Sequence, residues 1–372
     1  MSDKIMVTRS SMPSLEEYVS EIAPLWKSHW LTNMGEKHQR FEQALCEYLS
    51  VDYVSLFVNG HSALECILEA LSLGSDGRRK VITTPYTFAS TTHAIVRKGL
   101  IPVFADIDPD TYTLDPDCVE PLIDSETCAI LPVHVYGNLC DVDALAEMAS
   151  EHGLKVVYDA AHAFGVRRRG TSAASFGDAS MFSFHATKVF NSIEGGAVCF
   201  ADPALKARLE QWKNFGIISP EDVEYVGGNA KMNEFCAAMG LCNLRHVDEE
   251  IAKRKRVAER YWERLGGIPG VRLCLPQKEV TPNYAYLPVV FEDDFGATRD
   301  DVYALLRSGE IYSRKYFYPL TSDYACYGGM FDSSLTPVAQ HVAARVLTLP
   351  MYADLTPTDV DRVCDIVLSC AR

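Results

Sequence analysis

The sequence has no long apolar run, no cysteine pair at metal-knuckle spacing and no surplus of positive charge, and each absence removes a class of function. No stretch approaches the ~18 consecutive apolar residues of a membrane span. The opening MSDKIMVTRSSMPS lacks the basic-then-apolar layout of a secretory leader, so the expectation is a cytoplasmic protein with no membrane partner. Lys and Arg number 35 against 50 Asp and Glu, a net charge of −15 over 372 residues. Such a chain has no general attraction for nucleic acid, and any anionic ligand must be gathered by local positive groups. No two of the 12 cysteines stand three residues apart, whereas a metal knuckle needs C-x-x-C. Cys46, Cys66, Cys199 and Cys364 fall in apolar helical or strand patterns and read as reduced core residues, with no metal expected. G-x-G-x-x-G and G-x-x-x-x-G-K-[ST] are both missing, which removes the common dinucleotide and nucleoside-triphosphate loops. Internal repeats and long linkers are missing too.

What remains is 48% apolar and 23% charged, enough to bury a large core. At about 150 residues per domain the length suggests roughly two to three domains, and two are expected, 1–247 and 248–372. Ser14 three residues before Glu17 reads as a capping box opening a helix with Leu15, Val19, Ile22 and Trp26. A second helix from about Glu36 carries Phe41, Leu45, Tyr48 and Leu49. Seven short β-branched or apolar runs follow, at Tyr53–Val58, Lys80–Thr83, Ile101–Ala105, Cys128–Val133, Lys155–Tyr158, Ser180–Phe184 and Ala197–Phe200. They alternate at first with helical stretches, which predicts an α/β large domain with a mostly parallel seven-stranded sheet between helices. One long helix is predicted from about Lys231 to Leu265, its charged middle (DEEIAKRKRVAER) reading as a solvated face. GlyGly at 266–267 and Pro269 end it, and a strand at Tyr284–Phe291, a helix near Arg299–Arg307, the segment RKYFYPL and a closing helix make a smaller C-terminal α+β domain.

Three places carry candidate chemistry. The strand YVSLFV runs straight into Asn59-Gly60-His61-Ser62 and a helix, so free backbone N–H groups, the positive dipole end and the Ser62 hydroxyl can hold a phosphate. VVYDAAHAFG puts Asp159 at the carboxyl end of a strand, where ligands of open α/β sheets sit, although an aspartate there also serves to cap a helix. His162 reads equally as a packing residue. SFHATKVFNSIEGGAV holds Lys188 in a turn between two strands. The order of these parts is what bears on function: an anion site near residue 60, an aromatic at Phe88 just past Pro85, an acid at 159 and an amine 29 residues later. Pyridoxal 5′-phosphate needs those four things: a phosphate site, a ring to stack on, a carboxylate at its pyridine nitrogen and an amine for the Schiff base.

From about residue 14 to its end the chain resembles the DegT/DnrJ-type sugar aminotransferases, through WLTNMGEKHQRFEQALCEYL, NGHSALECILEAL, VITTPYTFASTTHAI, PVFADID, LPVHVYGN, VVYDAAHAFG, SFGDASMFSFHATKVFNSIEGGAV, GGNAKMNEFCAAMGL and RKYFYPL. The resemblance implies the aspartate-aminotransferase fold and pyridoxal phosphate as cofactor, passing through pyridoxamine phosphate. It implies Lys188 as the Schiff-base lysine, Asp159 as partner of the pyridine nitrogen, Phe88 stacked on the ring and His162 near the phenolic oxygen. Gly60, His61, Ser62 and Ser183 would hold the phosphate, joined by Asn229 from the neighbouring subunit of a homodimer. The implied substrates are L-glutamate and a nucleotide-linked keto-deoxysugar, with Lys231, Arg314, Lys315, Tyr316 and Tyr318 as candidate contacts.

His61 stands where the family often has threonine or serine, His162 where glutamine is frequent, and Lys231 where arginine is frequent, which trades a planar fork for a point charge. N-A-K-M-N-E and S-F-H-A-T-K-V-F-N-S-I-E-G-G look most like members that aminate C4 of dTDP-4-keto-6-deoxyglucose. Amination at C3 is the alternative. A sugar dehydratase of the same fold is disfavoured by Lys188, since related 3-dehydratases carry histidine there, and a non-catalytic sugar-nucleotide regulator has no need of acid, ring and lysine together. Arg167-Arg168-Arg169 reads as a solvent-facing hairpin.

Overall fold

The computed structural model describes residues 4–371. Its main sheet is built from β1 (Tyr53–Phe57), β2 (Lys80–Thr83), β3 (Ile101–Phe104), β4 (Thr127–Ile130) and β5 (Lys155–Asp159), followed, beyond a small hairpin β6 (Arg167–Arg168) and β7 (Thr171–Ser172), by β8 (Ala179–Ser183) and β9 (Gly196–Phe200). The seven strands run in the order β1-β9-β8-β5-β4-β2-β3. Neighbours from β8 through β3 pair in parallel, whereas β9 is antiparallel to both β8 and β1. The seven-stranded, mostly parallel sheet expected from the apolar runs is present.

The strands are apolar on both faces because both are covered. Val157, Met181 and Val198 face the helices Gly60–Ala70, Ala89–Arg97 and Pro203–Trp212. Their alternates pack the other way: Phe182, Ala197 and Cys199 meet the helices Glu36–Leu49 and Glu234–Leu244, and Val156 and Tyr158 meet Val142–His152. Asp159 therefore ends a strand gripped from both sides, which fixes the height at which its carboxylate leaves the sheet.

Where one helix was expected from Lys231 to Leu265 there are two, Glu234–Leu244 and Val247–Leu265. At the junction the N–H groups of Arg245 and His246 bond three residues back, to Cys242 and Asn243, in tight turns that break the helical ladder. The first helix is buried almost throughout, while the second is amphipathic and leads away into the smaller unit. Periodicity runs through such a break unseen. The charged face of the second helix is mostly solvated, but Arg254 within it is buried.

The smaller unit has a three-stranded antiparallel sheet of β10 (Val271–Leu273), β12 (Leu287–Phe291) and β13 (Val346–Leu349), with β11 (Val280–Thr281) joining β6 and β7 instead. Helices Val247–Leu265, Arg299–Ser308 and Pro357–Ser369 cover it, and Ile5 from the start of the chain enters the same core. An aromatic cluster including Tyr86, Tyr136, Tyr316 and Phe317 joins the two units beside the carboxyl edge of the large sheet. Ser14 accepts the Glu17 N–H, but the Glu17 carboxylate turns to Arg245 and His246, so only half of the expected capping box forms; the helix, Leu15–Ile22, ends before Trp26 and buries none of its residues. No helix among the described residues is long and apolar enough to cross a membrane.

Candidate active site

A cleft of about 330 Å3 opens at the carboxyl edge of the large sheet. It collects residues from separate strand ends: Asn59, Gly60 and His61 after β1, Phe88 after β2, Val133 after β4, Asp159 and His162 at and after β5, Ser183 at the end of β8, with Lys188 and Glu194 from the turn between β8 and β9. Arg314 and Tyr316 of the smaller unit close one side.

At the helix start, Asn59 acts as N-cap, its Oδ1 accepting the Ser62 N–H at 2.8 Å. The amides of Gly60 and His61 are then left without an intrahelical acceptor, at the positive end of the dipole. Gly60 lies so close to β8 that a Cβ there would come within 2.9 Å of the Ser183 Cβ, and one on Gly196 would meet the Asn59 carbonyl carbon at 2.6 Å. Glycine at both points lets the helix start lie close against the sheet. The His61 ring turns to Ser90, Nδ1 to Oγ 2.9 Å.

Asp159 is only 4% exposed. Its Oδ2 accepts from Thr91 Oγ1 at 2.8 Å and its Oδ1 from the Ala161 N–H at 3.1 Å. Thr91 is itself fixed by Thr87, hydroxyl to hydroxyl at 2.8 Å. Burial raises the pKa of Asp159, and the bonds from Thr91 and Ala161, with the positive charge of Lys188, pull only part of the way back. The sign agrees with magnitude: a hydrogen bond to a charged group is worth about 1.5–3 kcal/mol, less than the several kcal/mol needed to strip water from an ion. No regular helix follows Asp159, so it does not act as a helix cap.

Burial likewise pulls the Lys188 amine below its usual value, reinforced by Arg314 and opposed by Tyr316 and Asp159. His162 accepts the Tyr136 N–H on Nδ1 at 3.0 Å, and burial holds it well below the usual imidazole range. Phe88 precedes the helix Ala89–Arg97 with its ring half exposed, 6.3 Å from that of Tyr316. The Arg314 guanidinium lies 4.4 Å from the centre of the Tyr316 ring.

Other residues singled out in the sequence stand away from this cleft. Lys315 pairs with Asp300 at 2.7 Å, and the half-exposed Tyr318 carries the Arg299 guanidinium 4.9 Å from its ring centre. Lys231 bonds Asn214 and Asn229 at 2.7 and 2.8 Å. Ser62 is not on the cleft wall. Arg168 and Arg169 pair with Asp143 and Glu279, and Arg167 bonds the Tyr48 carbonyl, so the hairpin cations are engaged within the chain. Asn59, named in the sequence only as part of the helix start, and Ser90, Thr91, His185 and Glu194, which carried no expectation there, also line or support the cleft. Asn59 was detectable by its capping position; Thr91 was not, because only the fold brings it to Asp159.

An amine, a buried carboxylate and the free amides of a helix start thus meet at one edge of the α/β sheet. The family model for DegT/DnrJ/EryC1/StrS aminotransferases matches residues 14–368. The chain is 41% identical to the dTDP-4-amino-4,6-dideoxy-D-glucose transaminases of Shigella dysenteriae and Escherichia coli, covering 96% of both chains for the first and 99% of both for the second. Among solved structures, DesI in the presence of its TDP-sugar product superposes with a TM-score of 0.94 at 36% identity, over 100% of this chain and 93% of that one. The chain belongs to the DegT/DnrJ/EryC1/StrS aminotransferase family.

The raised pKa of Asp159 means that the folded protein keeps this proton at pH values where the unfolded chain has lost it. Its contribution to stability therefore falls as pH rises from the ordinary carboxylate range through the raised value. Asp159→Asn, uncharged throughout, is expected to raise the thermal midpoint of the cofactor-free protein near neutral pH, followed by circular dichroism across pH. A midpoint that drops, or that keeps the wild-type dependence on pH, contradicts this.

Proposed function

We propose that this chain moves the amino group of L-glutamate to the keto carbon of dTDP-4-keto-6-deoxyglucose, giving dTDP-4-amino-4,6-dideoxyglucose, with pyridoxal 5′-phosphate in the cleft. The observation that carries the reading is the convergence of Lys188, Asp159 and the Gly60 and His61 amides on one cavity of about 330 Å3, in a chain 41% identical to transaminases named for that product. Donor types and geometry suit the cofactor: amides for a phosphate, a buried acid for a ring nitrogen, an amine of lowered pKa for an aldehyde. Bound there, the cofactor supplies an electron sink for charge developing at the substrate carbon.

The chain's own groups do the rest. Gly60 and His61 hold the phosphate through backbone N–H groups, with the Ser183 hydroxyl beside them. Asp159, steadied by Thr91 and Ala161, holds a proton at the pyridine nitrogen. Phe88 covers one face of the ring. Lys188, its amine pulled below its usual value by burial, takes and returns a proton at the reacting carbon. Arg314, backed by the Tyr316 ring, meets the anionic parts of the substrates in a chain otherwise too acidic to attract them. Domains 1–247 and 248–372 then supply opposite walls of the cleft.

The same reading makes the enzyme a homodimer. Asn229 and Lys231 sit where the exposed Phe215, Ile217, Ile218, Val223 and Val226 form an apolar arm, and Leu15, Val19 and Trp26 present a second exposed apolar face. Patches of that kind mark protein contacts. Asn229 reaches the phosphate of the neighbouring site, and Lys231 beside it meets the sugar nucleotide. Twelve unpaired cysteines suit the reducing cytoplasm.

Incubation with dTDP-4-keto-6-deoxyglucose and L-glutamate is expected to yield the C4 amine by product NMR, with 2-oxoglutarate formed one for one. Lys188→Ala should lose both turnover and the visible absorbance. Amination of a 3-keto sugar in preference, or turnover retained by the variant, overturns the assignment.

For the dimer, co-expressed Lys188→Ala and Asn229→Ala chains are expected to regain activity that neither has alone, because one of the two sites in a mixed dimer is intact. No recovery in purified mixed dimers contradicts shared sites.

A further inference from the structure

Tyr286, just ahead of β12, has no part in the roles assigned above, yet it lies against the cleft's histidine. Its ring centre is 4.6 Å from that of His162, 5.6 Å from Tyr136 and 5.7 Å from Tyr316. The segment that carries it also grips the histidine's backbone. Asn283, almost fully buried, donates from Nδ2 to the carbonyls of His162 and Phe164 at 2.8 and 2.9 Å. Its Oδ1 accepts the Ala285 N–H at 3.1 Å, which turns the chain toward Tyr286. Gly137, at φ 93°, packs against this clamp so closely that a Cβ there would lie 2.7 Å from Asn283 Oδ1.

The ring of His162 is constrained on both nitrogens. A backbone N–H can only donate, so the Tyr136 amide 3.0 Å from Nδ1 requires a lone pair on that atom. A ring with a single proton then carries it on Nε2. The Tyr286 hydroxyl, 3.4 Å from Nε2, stands where an acceptor is needed. The ring plane is held by Phe317, stacked at 5.8 Å and 4°. Tyr136 is held in turn by hydroxyl contact with Tyr86 at 2.6 Å and by a bond to the Tyr316 carbonyl, so its amide is not free to swing away.

We propose that Tyr286 is a positioning residue which, with the Tyr136 amide, locks His162 in the tautomer protonated on Nε2 and, by accepting that proton, holds the ring in one orientation at the cleft wall. Burial holds the ring well below the usual imidazole range, so it brings no positive charge beside the Lys188 amine. The inference rests on the reading above only for what the fixed ring faces, the bound pyridoxal phosphate.

Neutron diffraction from cofactor-free crystals near neutral pH tests the tautomer without any cofactor. The expected result is a deuteron on Nε2 of His162 and none on Nδ1; a deuteron on Nδ1, or on both, overturns it. The role of Tyr286 is tested in reconstituted enzyme by the pH midpoint of the cofactor's visible band. Tyr286→Phe is expected to shift that midpoint in the same direction as His162→Ala, and the double variant to shift it no further than His162→Ala alone. Additive shifts, or none from Tyr286→Phe in a protein of native circular dichroism, overturn the role. Failure of the wild-type protein to bind pyridoxal phosphate would sink the proposed function and leave the neutron result standing.

Discussion

One reversed strand brings the amine to the carboxylate. β9 runs against β8 and β1, so the connection leaving the end of β8 must turn back on the same edge at which β5 ends. That connection holds Lys188, and the strand end holds Asp159. Had β9 been parallel, a crossover would have carried the chain to the opposite edge. The helix start at Gly60 reaches the same edge because β1 points the same way as β8, and Gly196 at the start of β9 leaves room for it.

The site is assembled against electrostatic resistance. Asp159 is buried deeply enough to raise its pKa, and Lys188 deeply enough to lower its own. Both shifts oppose charge, and the two groups offset each other by their mutual attraction. An amine that gives up its proton more readily is what acid–base work at a carbon centre uses. Arg314 faces the cleft, a basic side chain at the mouth of a site in a chain of net charge −15. Stability is traded for chemistry here, as buried unneutralised groups generally require.

Much of this was legible in the sequence, for definite reasons. Strands buried on both faces leave continuous apolar runs, so all seven could be marked; the turns that carry Gly60, Asp159 and Lys188 follow directly from where those runs stop. The break at Arg245 and His246 left no trace, because apolar spacing continues across it. In the segment from Arg314 to Tyr318, composition suggested a cationic aromatic cluster, but an extended chain alternates its side chains. Arg314 and Tyr316 face the cleft while Lys315, between them, turns to Asp300. Thr91 and Tyr286 lie far in sequence from the residues they touch, 68 and 124 positions away from Asp159 and His162, and nothing local announces them.

The account stands or falls on a bond between the Lys188 amine and an aldehyde seated beside Asp159. Borohydride reduction of the protein loaded with pyridoxal phosphate, followed by digestion and mass spectrometry, reads that bond at the residue. A reduced phosphopyridoxyl group on the peptide containing Lys188, at one per chain, is the predicted result; a label spread over surface lysines, or an unlabelled Lys188 peptide, would contradict it.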